Sequence, residues 1–256
     1  MCCFHRASDI DLVMPLKSSG GEADHSLILL PGMGADARMF APLRAMLPQL
    51  VTPDWIEPAR HESLVSYARR LARVVDPGRP CFVGGASFGG VVALEMAAVL
   101  NVRACFLIGS VRSSHARPWR LGLLRPVTPF VGVLPHVSPT LVRLIGHWIR
   151  PATRGVLMQL GDTDARFLRW AAGAILTWTP SPETDRVRVC HIHGERDLVF
   201  PSPLAQADEL VTGAGHLVSI THPTAVAEFL RARMEEMGRE ADTSRGGNET
   251  SGERGM

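Results

Sequence analysis

The 256 residues are 46% hydrophobic and 20% charged, a composition that supports one elaborated domain with a large core and excludes a disordered or collagen-like chain. The 27 basic side chains, all but one of them Arg, meet 25 acidic ones for a formal net charge of +2, so the chain lacks the overall charge footprint of a nucleic-acid-binding protein. The five cysteines, Cys2, Cys3, Cys81, Cys105 and Cys190, form no C-x-x-C pair, and three of them sit in apolar, strand-like runs, which argues against a zinc module or a disulfide scaffold.

Residues 1–25 carry Asp9, Asp11, Glu22 and Asp24 and no continuous apolar run, unlike an export signal. They are read as a flexible leader, with the cytosol as the expected compartment. The adjacent Cys2 and Cys3 fit either an acylated terminus or a frayed one with two incidental thiols. From residue 26 onward, short β-rich apolar runs alternate with helical patterns, the mark of βα units on a mostly parallel sheet. Strands are expected at 26–30, 50–54, 80–84, 104–108, 187–192 and 207–211. A helix over 63–75 puts Leu64, Tyr67, Ala68, Leu71, Val74 and Val75 on one face and keeps Arg69, Arg70 and Arg73 off it. The next, over 88–100, is apolar almost all round with Glu95 as its only charge, so it should pack deep against the sheet. The apolar, uncharged stretch 80–94 contains four Gly and is too short to span a bilayer, so no stable membrane anchor is expected.

Residues 109–180 break the alternation with recurrent prolines and read as a helical cap inserted into the core. Nine Arg there (112, 117, 120, 125, 143, 150, 154, 166 and 169) face only Asp162 and Asp164, which makes the cap basic. Those two Asp fit a helix N-cap or an exposed face. The last helix, over 223–237, starts with Pro223 in its first turn and aligns Val226, Phe229, Leu230 and Met234. The remainder, 238–256, has almost nothing to bury and is expected to be disordered. The core is thus assigned to 26–108 and 181–237.

The sharpest local signal is Gly84-Gly85-Ala86-Ser87-Phe88-Gly89-Gly90, a G-x-S-x-G directly after a strand and directly before an apolar helix. A reactive Ser on such a turn needs a strained backbone, and Gly85 and Gly89 remove the side chains that would collide there. The turn also leaves the helix N-terminus and the Phe88 N–H facing the place where negative charge would develop on a substrate oxygen. Neither G-x-x-x-x-G-K-[ST] nor G-x-G-x-x-G occurs, which argues against nucleotide binding. A serine hydroxyl needs a base, and the base an orienting acid. His193-Gly194-Glu195-Arg196-Asp197 follows one strand and Gly213-Ala214-Gly215-His216 the next, so the chain order is Ser87, Asp197, His216.

These motifs resemble the α/β-hydrolase fold superfamily over about residues 26–237. Leu29-Leu30-Pro31-Gly32-Met33-Gly34 is similar to the family's H-G-x-G oxyanion loop, with Pro31 in place of the usual His. The resemblance implies that the backbone N–H of Met33 joins that of Phe88 in an oxyanion hole. The family's H-G-x-x-D pattern favours Asp197 over Glu195 as the acid. Asp54-Trp55-Ile56-Glu57-Pro58 and Phe167-Leu168-Arg169-Trp170 look like a group of short, poorly characterised bacterial members. That group begins near the family's third strand, which implies a mostly parallel α/β sheet of about six strands flanked by helices, with the helical cap inserted.

The reading is a serine hydrolase of the esterase or thioesterase type, acting through Ser87, His216 and Asp197 on a small-molecule carboxylic ester or thioester without a cofactor. An apolar pocket under the basic cap would suit an ester with an anionic portion, although a solvated Arg face explains the same residues. Trp119, Trp148, Trp170 and Trp178 fit core anchors or, for the first three, substrate contacts. His191 and His193 alternate along a strand but lack a third partner for a metal, so no metal site is expected. Alternatives are a lyase or carbon–carbon bond enzyme on the same fold, or a ligand sensor with little turnover. Dehalogenase chemistry is disfavoured because the G-x-S-x-G turn, which resembles the nucleophile elbow of that family, carries Ser87 where an Asp would be needed.

Overall fold

In the computed structural model, which describes residues 26–114 and 163–249, the apolar runs form six strands. These are β1 (Leu27–Leu30), β2 (Leu50–Val51), β3 (Cys81–Ala86), β4 (Val102–Ile108), β5 (Val189–Gly194) and β6 (Glu209–Val211). All pair parallel, in the spatial order β2-β1-β3-β4-β5-β6. Successive strand side chains point to opposite faces, and this splits the core in two. Ile28, Leu30, Val83, Cys105 and Leu107 join one layer, while Leu27, Leu29, Phe82, Phe106 and Ile108 join the other. The expected strand at 50–54 shrinks to Leu50–Val51. Pro53 has no N–H to give a ladder, and Trp55 turns its indole N–H to the Ala35 carbonyl at 3.2 Å.

The helices are α1 (Ala41–Met46), α2 (Leu64–Val75), α3 (Phe88–Ala97), α4 (Ala165–Thr177), α5 (Ser202–Ala205), α6 (Val218–Thr221) and α7 (Pro223–Glu249). Ser63 caps α2 by accepting the Ser66 N–H at 3.2 Å, and Asp164 caps α4 by accepting the Arg166 N–H at 2.7 Å. The buried face of α2 packs with α3 and α4 on the first layer. Phe40, Leu43, Val226, Phe229 and Leu230, from the 3-10 turn Ala37–Phe40 and from α1 and α7, cover the second. Cys81, Cys105 and Cys190 are free, buried thiols, and burial pushes Cys105 well above the usual thiol range.

Two sequence expectations are corrected. The last helix does not stop at Met237 but runs through Glu249. Arg188, on the approach to β5, forms a fork of hydrogen bonds with Glu240, so a charge pair holds a turn that has no apolar face to bury. Residues 165–177, assigned by pattern to the cap, form a core helix: Phe167, Ala171, Ala174 and Ile175 of α4 are buried against the first layer. The rest of the expected cap, with Trp119 and Trp148, lies outside the described residues, as do the leader and residues 250–256.

Glu95, the lone charge of α3, is buried and accepts from Trp178 Nε1 (2.8 Å), Ser181 N (3.0 Å) and Ser181 Oγ (2.6 Å). It pins the chain that leaves α4 to the centre of the fold. Removing it leaves three buried donors without an acceptor. The Glu95→Ala substitution is therefore expected to destabilise the protein by about 3 kcal/mol or more. Thermal or urea unfolding of the variant reads this directly, and a loss under about 0.5 kcal/mol would contradict it.

Candidate active site

The order of strands places a crevice at the carboxyl ends of β1 and β3, because the chain leaves β1 toward β2 on one side and continues from β3 toward β4 on the other. At that point β3 passes into α3 through Ser87, whose backbone sits at φ 52° and ψ −119°. Such a conformation is strained for a residue with a Cβ. It is tolerated because the flanking glycines let three chain segments touch. A Cβ on Gly89 would lie 2.2 Å from the Pro31 carbonyl oxygen, and one on Gly85 would lie 2.4 Å from the Gly89 carbonyl carbon. The Ser87 N–H donates to Ile108 O at 3.0 Å, and its carbonyl accepts from Ser110 Oγ at 2.7 Å. The turn is thereby tied to β4 on both sides of the hydroxyl.

His216 arrives from the loop after β6 and Asp197 from the loop after β5. The two loops interlock, since Arg196 N donates to Ala214 O at 2.8 Å and a Cβ on Gly194 would meet Gly215 O at 2.3 Å. His216 Nε2 lies 2.8 Å from Ser87 Oγ, and its Nδ1 lies 2.8 Å from Asp197 Oδ2. The Phe200 ring stands edge-on against the His216 imidazole, with centroids 5.4 Å apart. Asp197 Oδ1 accepts from Val199 N at 2.8 Å and Phe200 N at 2.9 Å. Burial pushes the Asp197 carboxyl up, yet the hydrogen bonds from His193 and His216 outweigh it and hold the group well below the usual carboxylate range. A hydroxyl, an imidazole and an ionised carboxylate so connected can pass a proton from Oγ to Nε2 and stabilise the imidazolium that results. Glu195, the competing acid, is turned elsewhere: its Oε2 accepts the Gly213 N–H at 2.8 Å.

The sequence matches the alpha/beta hydrolase family over residues 27–229. The chain belongs to this family. Solved structures with the same fold include a hydrolase from Pseudomonas aeruginosa PA01, at 18% identity and a TM-score of 0.65 over 83% of this chain and 91% of that one. A thermophilic esterase from Thermogutta terrifontis gives 15% identity and a TM-score of 0.65, covering 83% and 90%. The enol-lactonase from Burkholderia xenovorans LB400 gives 18% identity and a TM-score of 0.60, covering 83% and 92%. No curated protein sequence is significantly similar.

In this family member the loop after β1 borders the elbow. Gly32 N meets Met39 Sδ at 3.3 Å, Ala35 N donates to Gly32 O at 3.0 Å, and Thr163 Oγ1 donates to Gly34 O at 2.7 Å. These bonds shape the backbone around Met33, while Phe88 opens α3 with its side chain buried. Trp170 is held by packing: its Nε1 donates to Glu62 O at 2.8 Å, and its ring lies 4.3 Å from Tyr67, 5.7 Å from Phe167 and 6.0 Å from Phe88. With Trp55 these rings form one cluster behind the elbow. A cavity of about 420 Å³ opens beside it, lined by Glu57, Arg60, His61, Arg166, Phe167 and Trp170 among others, and no member of the Ser87–His216–Asp197 line borders it. Among the described residues, no three His, Cys, Asp or Glu side chains converge as a metal-binding group, and no helix is long and apolar enough to cross a membrane.

His191 and His193 were visible in the sequence only as an alternating pair. Both are buried, and burial, reinforced by the neighbouring His193, pushes His191 down from the ordinary 6.5 to about 3. The unfolded chain then binds a proton at His191 at a higher pH than the folded one. Stability from this group is complete above about pH 6.5 and is lost progressively as pH falls toward 3. Asp197, depressed below 3.8, adds its own loss only at the acid end of that window. Melting temperature measured across this range should therefore fall less steeply for His191→Leu than for wild type, and equal slopes would refute the assignment.

Proposed function

We propose that the chain is a serine hydrolase that cleaves a small-molecule carboxylic ester or thioester through an acyl-enzyme. The observation that carries this reading is the unbroken line from Ser87 Oγ through His216 to Asp197, with 2.8 Å at each step, built on a strained strand-to-helix turn. Ser87 Oγ attacks the carbonyl carbon while His216 Nε2 takes its proton, and Asp197 holds the imidazole with its own proton on Nδ1. The tetrahedral oxyanion is stabilised by the backbone N–H groups of Met33 and Phe88, at about 3–4 kcal/mol per donor in serine enzymes. Collapse expels the alcohol or thiol, which leaves with the proton from Nε2. Water, activated by the same nitrogen, then releases the acid and restores Ser87. The names of the structural neighbours, an esterase and a lactonase among them, support ester chemistry.

The test is intact-mass labelling with a fluorophosphonate on wild type, Ser87→Ala and His216→Ala. One adduct on wild type and none on either variant is the expected result. A folded wild-type protein that takes no adduct would overturn the reading.

A further inference from the structure

Asp197 accepts more hydrogen bonds than its link to His216 requires. Oδ1 is taken by two backbone N–H groups, while Oδ2 faces His216 Nδ1 at 2.8 Å and also His193 Nε2 at 3.2 Å. The same His193 nitrogen lies 2.8 Å from the Phe200 carbonyl oxygen. An ionised carboxylate and a carbonyl are acceptors only, so in a neutral His193 the proton sits on Nε2, between the two. His193 Nδ1 then offers a lone pair, and it meets His191 Nε2 at 3.2 Å, which donates. The carbonyls of Ser110 and Ala205 lie beside the His191 ring, and its Nδ1 forms no hydrogen bond of normal geometry. The order of protons is therefore set along the whole row, from His191 through His193 to Asp197.

We propose that His193, held in its Nε2–H tautomer by the Asp197 carboxylate and the Phe200 carbonyl, is a positioning residue that shares Asp197 Oδ2 with His216 and so limits the basicity the carboxylate confers on that imidazole. This rests on the serine-hydrolase reading given above. Two donors on one carboxylate oxygen divide its negative charge. His216 is thus kept a weaker base, neutral and able to accept the Ser87 proton at lower pH than if Asp197 faced it alone. The Phe200 carbonyl fixes the donor's position, and the Phe200 N–H and ring fix Asp197 and His216 in turn. The groups near this row that carry or take charge are Asp197, His216, His191, Arg112 beyond His191, and Asp208, which accepts the His191 N–H at 2.7 Å.

The experiment is kcat/KM against pH, for an ester that the wild type turns over, with His193→Phe and His193→Gln, and with fluorophosphonate labelling of each protein. Phe keeps the ring and removes the donor, whereas the Gln amide nitrogen reaches the position of Nε2. In the Phe variant the acid limb should move up by about half to one pH unit. Its kcat should fall by about tenfold while KM stays within about twofold. Gln should return the limb to its wild-type position. An unmoved limb in a Phe variant that still labels at Ser87 overturns the proposal and leaves the hydrolase reading standing. Wild-type protein that neither labels nor turns over an ester overturns the reading, and the proposal with it. If the Phe variant does not fold, the imidazole 15N resonances of the wild type decide: a proton on Nε2 and none on Nδ1 of His193 is expected, and the reverse tautomer overturns the proposal.

Discussion

Ser87→Ala is expected to abolish turnover of every ester the wild type accepts, with kcat reduced by about 10⁵- to 10⁶-fold. The substitution removes one oxygen, whose hydrogen bond in the structure is to His216 Nε2 at 2.8 Å. It does not touch the backbone N–H groups of Met33 and Phe88, nor the contact of His216 with Asp197. On the proposed mechanism, what survives is the stabilisation of charge on a substrate oxygen, worth about 10³- to 10⁴-fold over water in serine enzymes that have lost a triad member. The turn itself should persist, because Ala is no larger than Ser and the φ of 52° is enforced by the contacts of Gly85 and Gly89 rather than by the hydroxyl. Stability should change by less than about 0.5 kcal/mol. Steady-state kinetics beside a melting curve separates the two effects, and retained turnover by a folded variant would mean that the nucleophile lies elsewhere.

Asp197→Asn should have the second-largest effect, a fall in kcat of about 10³- to 10⁴-fold with little change in KM. Here the geometry dictates how the amide sits. The two backbone N–H groups at 2.8 and 2.9 Å, from Val199 and Phe200, require an acceptor at the Oδ1 position. The amide oxygen takes that place, and the NH₂ group must then face His216 and His193. Opposite a donor, His216 keeps its lone pair on Nδ1 and its proton on Nε2, directed at Ser87, so it cannot remove the hydroxyl proton. The His193 Nε2–H likewise meets a donor where it met a carboxylate. Loss of activity should therefore come with retained fold and retained substrate affinity. A variant that keeps more than about one tenth of kcat would show that Asp197 does not set the tautomer.

The period of the apolar residues was enough to place six strands and the three principal helices, because alternation along a strand and the 3.6-residue repeat of a helix are local properties. Leu29 and Leu30 face different layers for no reason beyond the pleat. The elbow was legible for the same reason: strand, Gly-x-Ser-x-Gly and apolar helix are contiguous, and the strain at Ser87 is resolved by glycines within two residues of it. Asp197 and His216 could be placed because each follows a strand directly, and parallel strands deliver their C-terminal loops to one edge of the sheet.

Roles that depend on distant partners were not legible. Trp170 stood as either a substrate contact or a core anchor, and its bond to Glu62 O, which fixes one edge of its ring while the ring also lines the cavity, spans 108 positions of chain. The pattern counted residues 165–177 as cap because no strand interrupts the proline-broken stretch 109–180, whereas Phe167 and Ala171 pack the segment into the core. The helix past Met237 has no apolar stripe, and the meeting of Arg188 with Glu240 holds its first turn there by charge. Nor could the sequence rank Glu195 against Asp197 except by resemblance, until the Gly213 N–H was found to occupy Glu195.

By itself the sequence determined the α/β architecture, the strand-to-helix turn that presents Ser87, and the chain order of Ser87, Asp197 and His216. Tertiary structure alone decided which groups satisfy the buried charges: Trp178 and Ser181 for Glu95, and His193 and His216 for Asp197. The physical reason is that periodicity reports which face of an element is buried, while a buried polar group needs a particular donor at hydrogen-bond distance, and that donor comes from wherever packing brings it.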